Sequence, residues 1–69
     1  RIARELKAWR KKIAEKENVP PYVIFGDRTI ADIAAKKPAN DAELSRVYGI
    51  GSVKADRFGS AIIRIVNKV

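Results

Sequence analysis

The sequence predicts an all-α fold, a compact bundle of about five short helices, and three observations carry that reading. Apolar residues recur every three or four positions in stretches towards both ends of the chain. Glycine and proline collect between the periodic stretches. No two segments alternate apolar and polar residues so as to pair as strands. With 69 residues, 46% of them hydrophobic, the chain suffices for one domain whose core removes roughly 60% of the unfolded chain's surface from water. It has no cysteine and no histidine, so it lacks disulfides and the usual ligands of structural zinc, and packing alone must hold it together.

The first helix is expected from about Ile2 to Lys16, because Ile2, Leu6, Trp9 and Ile13 fall on one stripe at about 100° per residue. This stripe is the core face, and Trp9 belongs to it. Arg4, Lys7 and Lys11 gather on the opposite side with Glu15 as the one nearby acid, while Arg1, Lys12 and Lys16 lie towards the flank. Such a ridge is either the wet face of an amphipathic helix or, if neighbouring elements extend it, a binding surface.

Asn18-Val19-Pro20-Pro21-Tyr22-Val23-Ile24-Phe25 then interrupts the helical pattern. Proline offers no amide donor, and Pro21 pushes Pro20 towards an extended conformation, so a stiff, non-helical Pro-Pro-Tyr segment is expected. Tyr22 to Phe25 is apolar without a partner strand, which suggests a buried turn or a short 3₁₀ piece. A rigid tyrosine among cations suits the stacking of an unpaired base, whereas a tyrosine in an apolar run also serves simply as an anchor with its hydroxyl at the surface.

Asp27 or Thr29 is the expected cap of a second helix carrying Ile30, Ile33 and Ala34, with Asp32 suited to the positive helix start and Pro38 setting the limit. Asn40 followed by Asp41 and Glu43 reads as a capping box for a third helix bearing Leu44 and Val47, closed by Tyr48 and Gly49. After Gly49-Ile50-Gly51 comes a last helical region with Phe58, Ile62, Ile65 and Val69 on one stripe, which Gly59 is expected to divide. Lys54, Arg57, Arg64 and Lys68 form a second cationic ridge there if the helix is continuous. Glycines before a helix start permit positive φ and leave free amides that favour a phosphate, as in a helix-hairpin-helix duplex binder, but a tight turn needs them for structural reasons too. Lys54 does not complete a nucleotide-binding loop, since the spacing is wrong and no strand precedes it.

Fifteen Lys and Arg against eight Asp and Glu leave a net charge of +7, more than a small domain needs to remain in solution. A polyanionic partner is expected; the alternative is a merely solvated surface. No apolar run approaches the roughly 20 residues of a membrane span, and no secretion signal is visible. Starting at Arg1 without any methionine, the chain reads as a piece of a longer protein. Catalysis is not expected, because nucleophilic triads of the usual kinds need histidine or cysteine. Asp27, Asp32, Asp41 and Glu43 are the acids that a divalent cation would need, but helix capping accounts for them more simply. No metal and no cofactor is therefore expected.

Two blocks, Asn18 to Phe25 with Thr29-Ile30 after it, and Val47-Tyr48-Gly49-Ile50-Gly51 with Lys54 and Arg57-Phe58-Gly59, together resemble the HRDC domain of RecQ-type DNA helicases and RNase D. The likeness extends from Leu6 to the last helix. One departure is Ser52, where many members have proline; serine also starts helices. The resemblance implies a five-helix bundle that binds single-stranded or partially unwound DNA weakly and tunes how its parent enzyme engages substrate, with catalysis elsewhere in the polypeptide. It favours a RecQ-type parent over RNase D, and it assigns Tyr22 as the stacking contact. Lys7, Arg10, Lys11, Arg28, Lys54 and Arg57, with the Gly49 and Gly51 turn, complete the expected nucleic-acid surface of a monomer. The competing reading is a module docking on the parent helicase, or on another protein, through an apolar rim near Tyr22 and Tyr48. Nucleoid-associated cytoplasm in a bacterium, or the nucleus in a eukaryote, would be its place.

Overall fold

In the computed structural model, which describes residues 1–68, the two amphipathic patterns become the two long helices and the glycine- and proline-rich stretches between them hold three shorter ones. The order is α1 (Ile2–Glu17), α2 (Pro21–Ile24), α3 (Asp27–Lys36), α4 (Asp41–Leu44) and α5 (Ser52–Lys68), with no strand among the described residues. The apolar stripes meet at the centre: Leu6, Ile24, Phe25, Ile30, Ile33, Leu44 and Ile62 are fully buried. Trp9 packs against this core half-buried, stacked on Phe25 at 6.0 Å and edge-on to Phe58 at 5.5 Å. Ile13 and Ile65 on the two stripes are also only partly buried, while Ala14 and Val66 beside them are sealed. Val69, the last stripe residue, lies outside the described residues.

Two expectations about helix continuity are corrected. The Pro-Pro-Tyr segment is not free of helix: Pro21–Ile24 makes one helical turn. Pro20 stays extended, at φ −62° and ψ 148°, as its proline neighbour demands, but proline at the first position of a helix costs nothing because that amide has no intrahelical acceptor. The turn opens with a 3₁₀-type bond from the Val23 amide to the Pro20 carbonyl, 3.0 Å long. Ile24 and Phe25 are buried as expected of a buried turn, but Tyr22 and Val23 face outward.

Nor does Gly59 divide the last helix, which runs unbroken over 17 residues. Gly59 is buried where α5 crosses α4, and a β-carbon there would meet Leu44 Cδ2 at 3.2 Å. Its small size serves the crossing rather than a bend.

α1 ends with Asn18 in the left-handed conformation, its amide bonded to the Glu15 carbonyl and the Val19 amide reaching back to Ala14. This is the Schellman arrangement, and it aims the chain into the proline segment while Val19 packs on the core. The expected caps of α3 are not used: Gly26 holds the cap position with no side-chain bond, Asp27 is the first helical residue and Thr29 is buried in the interior. The capping box of α4 forms with a shift. Asn40 Oδ1 accepts from the Glu43 amide at 2.9 Å, while Glu43 Oε1 accepts from the amide of Ala39, one residue before the cap. α4 closes at Leu44, earlier than Tyr48 and Gly49, which belong to the turn that follows.

Candidate nucleic-acid interface

Tyr22 stands on α2 with 71% of its surface exposed. The residues that hold it there are Ile24 and Phe25, buried on the inner side of the same turn, and the prolines that restrict the backbone before it. α1 borders this turn, and the face of α1 that looks towards it carries Arg10. Its Nη1 donates to the Phe25 carbonyl at 3.1 Å and pairs with Asp27 at 3.0 Å. Its side chain is only 13% exposed. Arg10 therefore ties α1 to the α2–α3 junction, a fixed structural duty for one of the six expected phosphate contacts, and its buried Nε finds no partner.

Lys7 and Lys11 are exposed on α1, on the side of the helix that faces away from the core, with Lys7 one turn before Arg10. Arg57 approaches from another direction. It pairs with Glu17 at 2.5 Å and lies 4.7 Å from the centre of the Phe58 ring. Glu17 immediately precedes the left-handed Asn18, so Arg57 adjoins the start of the proline segment, and half-buried Lys54 precedes it on α5 by one turn. Arg10 of α1 and Arg57 of α5 thus mark the two ends of the segment that presents Tyr22, each already paired with an acid.

Arg28 and the two glycines belong to a second cluster, which joins α3 to the turn after α4. The guanidinium of Arg28 lies 4.1 Å above the centre of the Tyr48 ring. Asp32 Oδ2 accepts from the Tyr48 amide at 2.7 Å and pairs with Lys36 at 2.9 Å. These contacts, the amide foremost, hold the Asp32 carboxyl below its usual range. Gly49 has φ 79°, and a β-carbon at this position would come within 2.5 Å of Thr29 Oγ1. Its role in the structure is close approach to α3. Gly51 is open around its α-carbon and supplies the carbonyl that accepts from the Ala55 amide at 2.9 Å, in the first turn of α5. Tyr48, with 52% of its surface exposed, is expected from sequence to close a helix and to join an apolar rim, not to stack with a cation. Its pairing with Arg28 spans twenty positions, and no local pattern encodes it.

The acids are dispersed over separate duties, and no group of three or more forms a metal site among the described residues. None of the described helices is long and apolar enough to cross a membrane.

Comparison with known proteins agrees with this architecture. The family model described as the HRDC domain matches residues 1–66. The ATP-dependent DNA helicase RecQ of Haemophilus influenzae is 38% identical over 63 residues, covering 91% of this chain and 10% of the helicase. The ATP-dependent DNA helicase UvrD2 of Mycobacterium tuberculosis is 42% identical over 62 residues, 90% of this chain and 9% of that protein. Among solved structures, the third HRDC domain of D. radiodurans RecQ superposes with a TM-score of 0.92 at 25% identity, over 97% of this chain and 88% of that one. The chain spans about a tenth of the length of these helicases. A family match over nearly every residue, on a bundle with this helix order, makes the chain a member of the HRDC domain family.

Proposed function

We propose that the domain is a non-catalytic single-strand DNA contact of a RecQ- or UvrD2-like helicase, using Tyr22 to stack one base and the cations beside it to follow the backbone. The observation that carries this reading is the exposure of Tyr22 on a proline-stiffened turn whose two ends meet Arg10 of α1 and Arg57 of α5. Base stacking on an aromatic tolerates any sequence and contributes about 1–3 kcal/mol per base. Lys7, Lys11 and Lys54 are the cations suited to phosphate, joined by Arg57 where a phosphate displaces Glu17, while Arg28 is set apart against Tyr48. Arg10 leaves this group because its charge is already matched by Asp27. With no histidine or cysteine, the domain contributes position and affinity while chemistry stays with the helicase motor.

Two measurements test the proposal. Affinity for a fluorescein-labelled oligothymidylate should fall with salt by about 0.7 log unit per log unit for each phosphate contacted. The Tyr22→Ala variant should lose about 1–3 kcal/mol of binding while keeping its melting temperature. A titration indifferent to both salt and Tyr22 removes the single-strand role and leaves protein docking through the apolar rim near Tyr22 and Tyr48 as the alternative.

A further inference from the structure

We infer that Arg28 and Tyr48 form a second stacking platform for the same single strand, with Lys36 and Arg46 beside it for the phosphate of that nucleotide. The inference rests on the single-strand reading above and adds a site that reading does not need.

The turn that bears Tyr48 is held without its ring. Val47 and Ile50 are buried on either side, Gly49 presses on Thr29, and Asp32 takes the Tyr48 amide. The ring is thereby left outward, and its one recorded partner is Arg28, stacked 4.1 Å from its centre. A guanidinium held over an aromatic ring has lost much of its rotational freedom before any ligand arrives, and arginine and tyrosine both accept the face of a base.

The stacked pair borders an open hollow of about 420 Å³ whose other lining residues are Ala31, Asp32 and Lys36. Ala31 contributes only a methyl group to its wall. Two acids face the region, and both are occupied: Asp32 by the Tyr48 amide and Lys36, Glu43 by the Ala39 amide. Lys36 donates to the Arg46 carbonyl at 2.8 Å, which brings the ammonium to the base of the exposed Arg46. The Arg46 guanidinium itself forms no ion pair among the described residues. A held cation and a stacked aromatic pair thus line one hollow, and the free cation lines a second hollow that shares Lys36 with it.

The test uses this chain with labelled oligothymidylates of about four and about twelve nucleotides, spanning the range over which single-strand sites are filled. Tyr48→Leu should weaken the longer oligonucleotide about tenfold, Tyr48→Phe should not, and Arg28→Gln should follow Tyr48→Leu. The shorter one should depend on Tyr22 and respond much less to position 48. Addition of the longer oligonucleotide should also shift the amide resonances of Tyr48 and Gly49 in the unmodified chain, a readout that stands even if a variant fails to fold. The inference is overturned if Tyr22→Ala weakens both oligonucleotides while the position 48 variants bind like the parent and the Tyr48 and Gly49 resonances stay fixed. If neither oligonucleotide binds the unmodified chain, the single-strand reading and this platform fall together.

Discussion

The two exposed tyrosines are presented by opposite means. Tyr22 faces outward because of its neighbours in sequence: prolines restrict the backbone before it, and the two residues buried on its own short turn fix the direction. Tyr48 faces outward because of residues sixteen or more positions away on α3, where Asp32 takes its amide and Thr29 leaves room only for a glycine beside it. Local stiffness survives the loss of any one tertiary contact. A turn assembled from remote contacts does not, so position 48 is open to disturbance from α3 in a way that position 22 is not.

The sharpest way to break this contrast is Gly49→Ala. A β-carbon there combines an unfavourable positive φ with the 2.5 Å approach to Thr29 Oγ1, so a loss of about 2 kcal/mol or more is expected. In a domain of this size that lowers the melting temperature by about 8 °C or more, readable by circular dichroism. The companion change at the other tyrosine is far gentler. Pro21→Ala frees the unfolded chain and should lower stability by about 0.4–1 kcal/mol, with the Tyr22 contribution to single-strand affinity nearly intact. A Pro21→Ala chain that loses as much stability as Gly49→Ala would show that the two turns are built alike after all.

Acid sharpens the comparison further, with a smaller effect. Asp32 has its folded-state pKa lowered, chiefly by the Tyr48 amide and then by Lys36. The stabilisation is therefore complete above the ordinary carboxylate range, near pH 4, and is lost as pH falls through the depressed value. Melting temperature should decline over that acid window in the parent chain. Asp32→Asn should start lower at neutral pH and decline less steeply, and its Tyr48 resonances should broaden while those of Tyr22 do not.

The same division explains what could be read from the sequence. The helical stripes, the Asn40–Glu43 cap and the exposed face of α1 follow from residues within one or two turns of each other, and the bundle was legible from them. Gly59 misleads because helix propensity disfavours it at a position where only its size matters, against Leu44 on another helix. Arg10 misleads in the other direction. It reads as one more surface cation, yet its partners are fifteen and seventeen positions away, at Phe25 and Asp27. The Arg28 and Tyr48 pair is invisible for the same reason. Local composition announces how much positive charge the surface carries, but only tertiary structure reveals which of it is already spoken for.

Trp9 brings a practical consequence. It is the sole tryptophan, and its indole leans on Phe25 and Phe58, aromatic residues drawn from the segment after α2 and from α5. Unfolding would pull all three apart, whereas an oligonucleotide resting on either tyrosine leaves them together. Its fluorescence is therefore a built-in reporter of core integrity, letting a titration of any tyrosine variant carry its own folding control in the same cuvette.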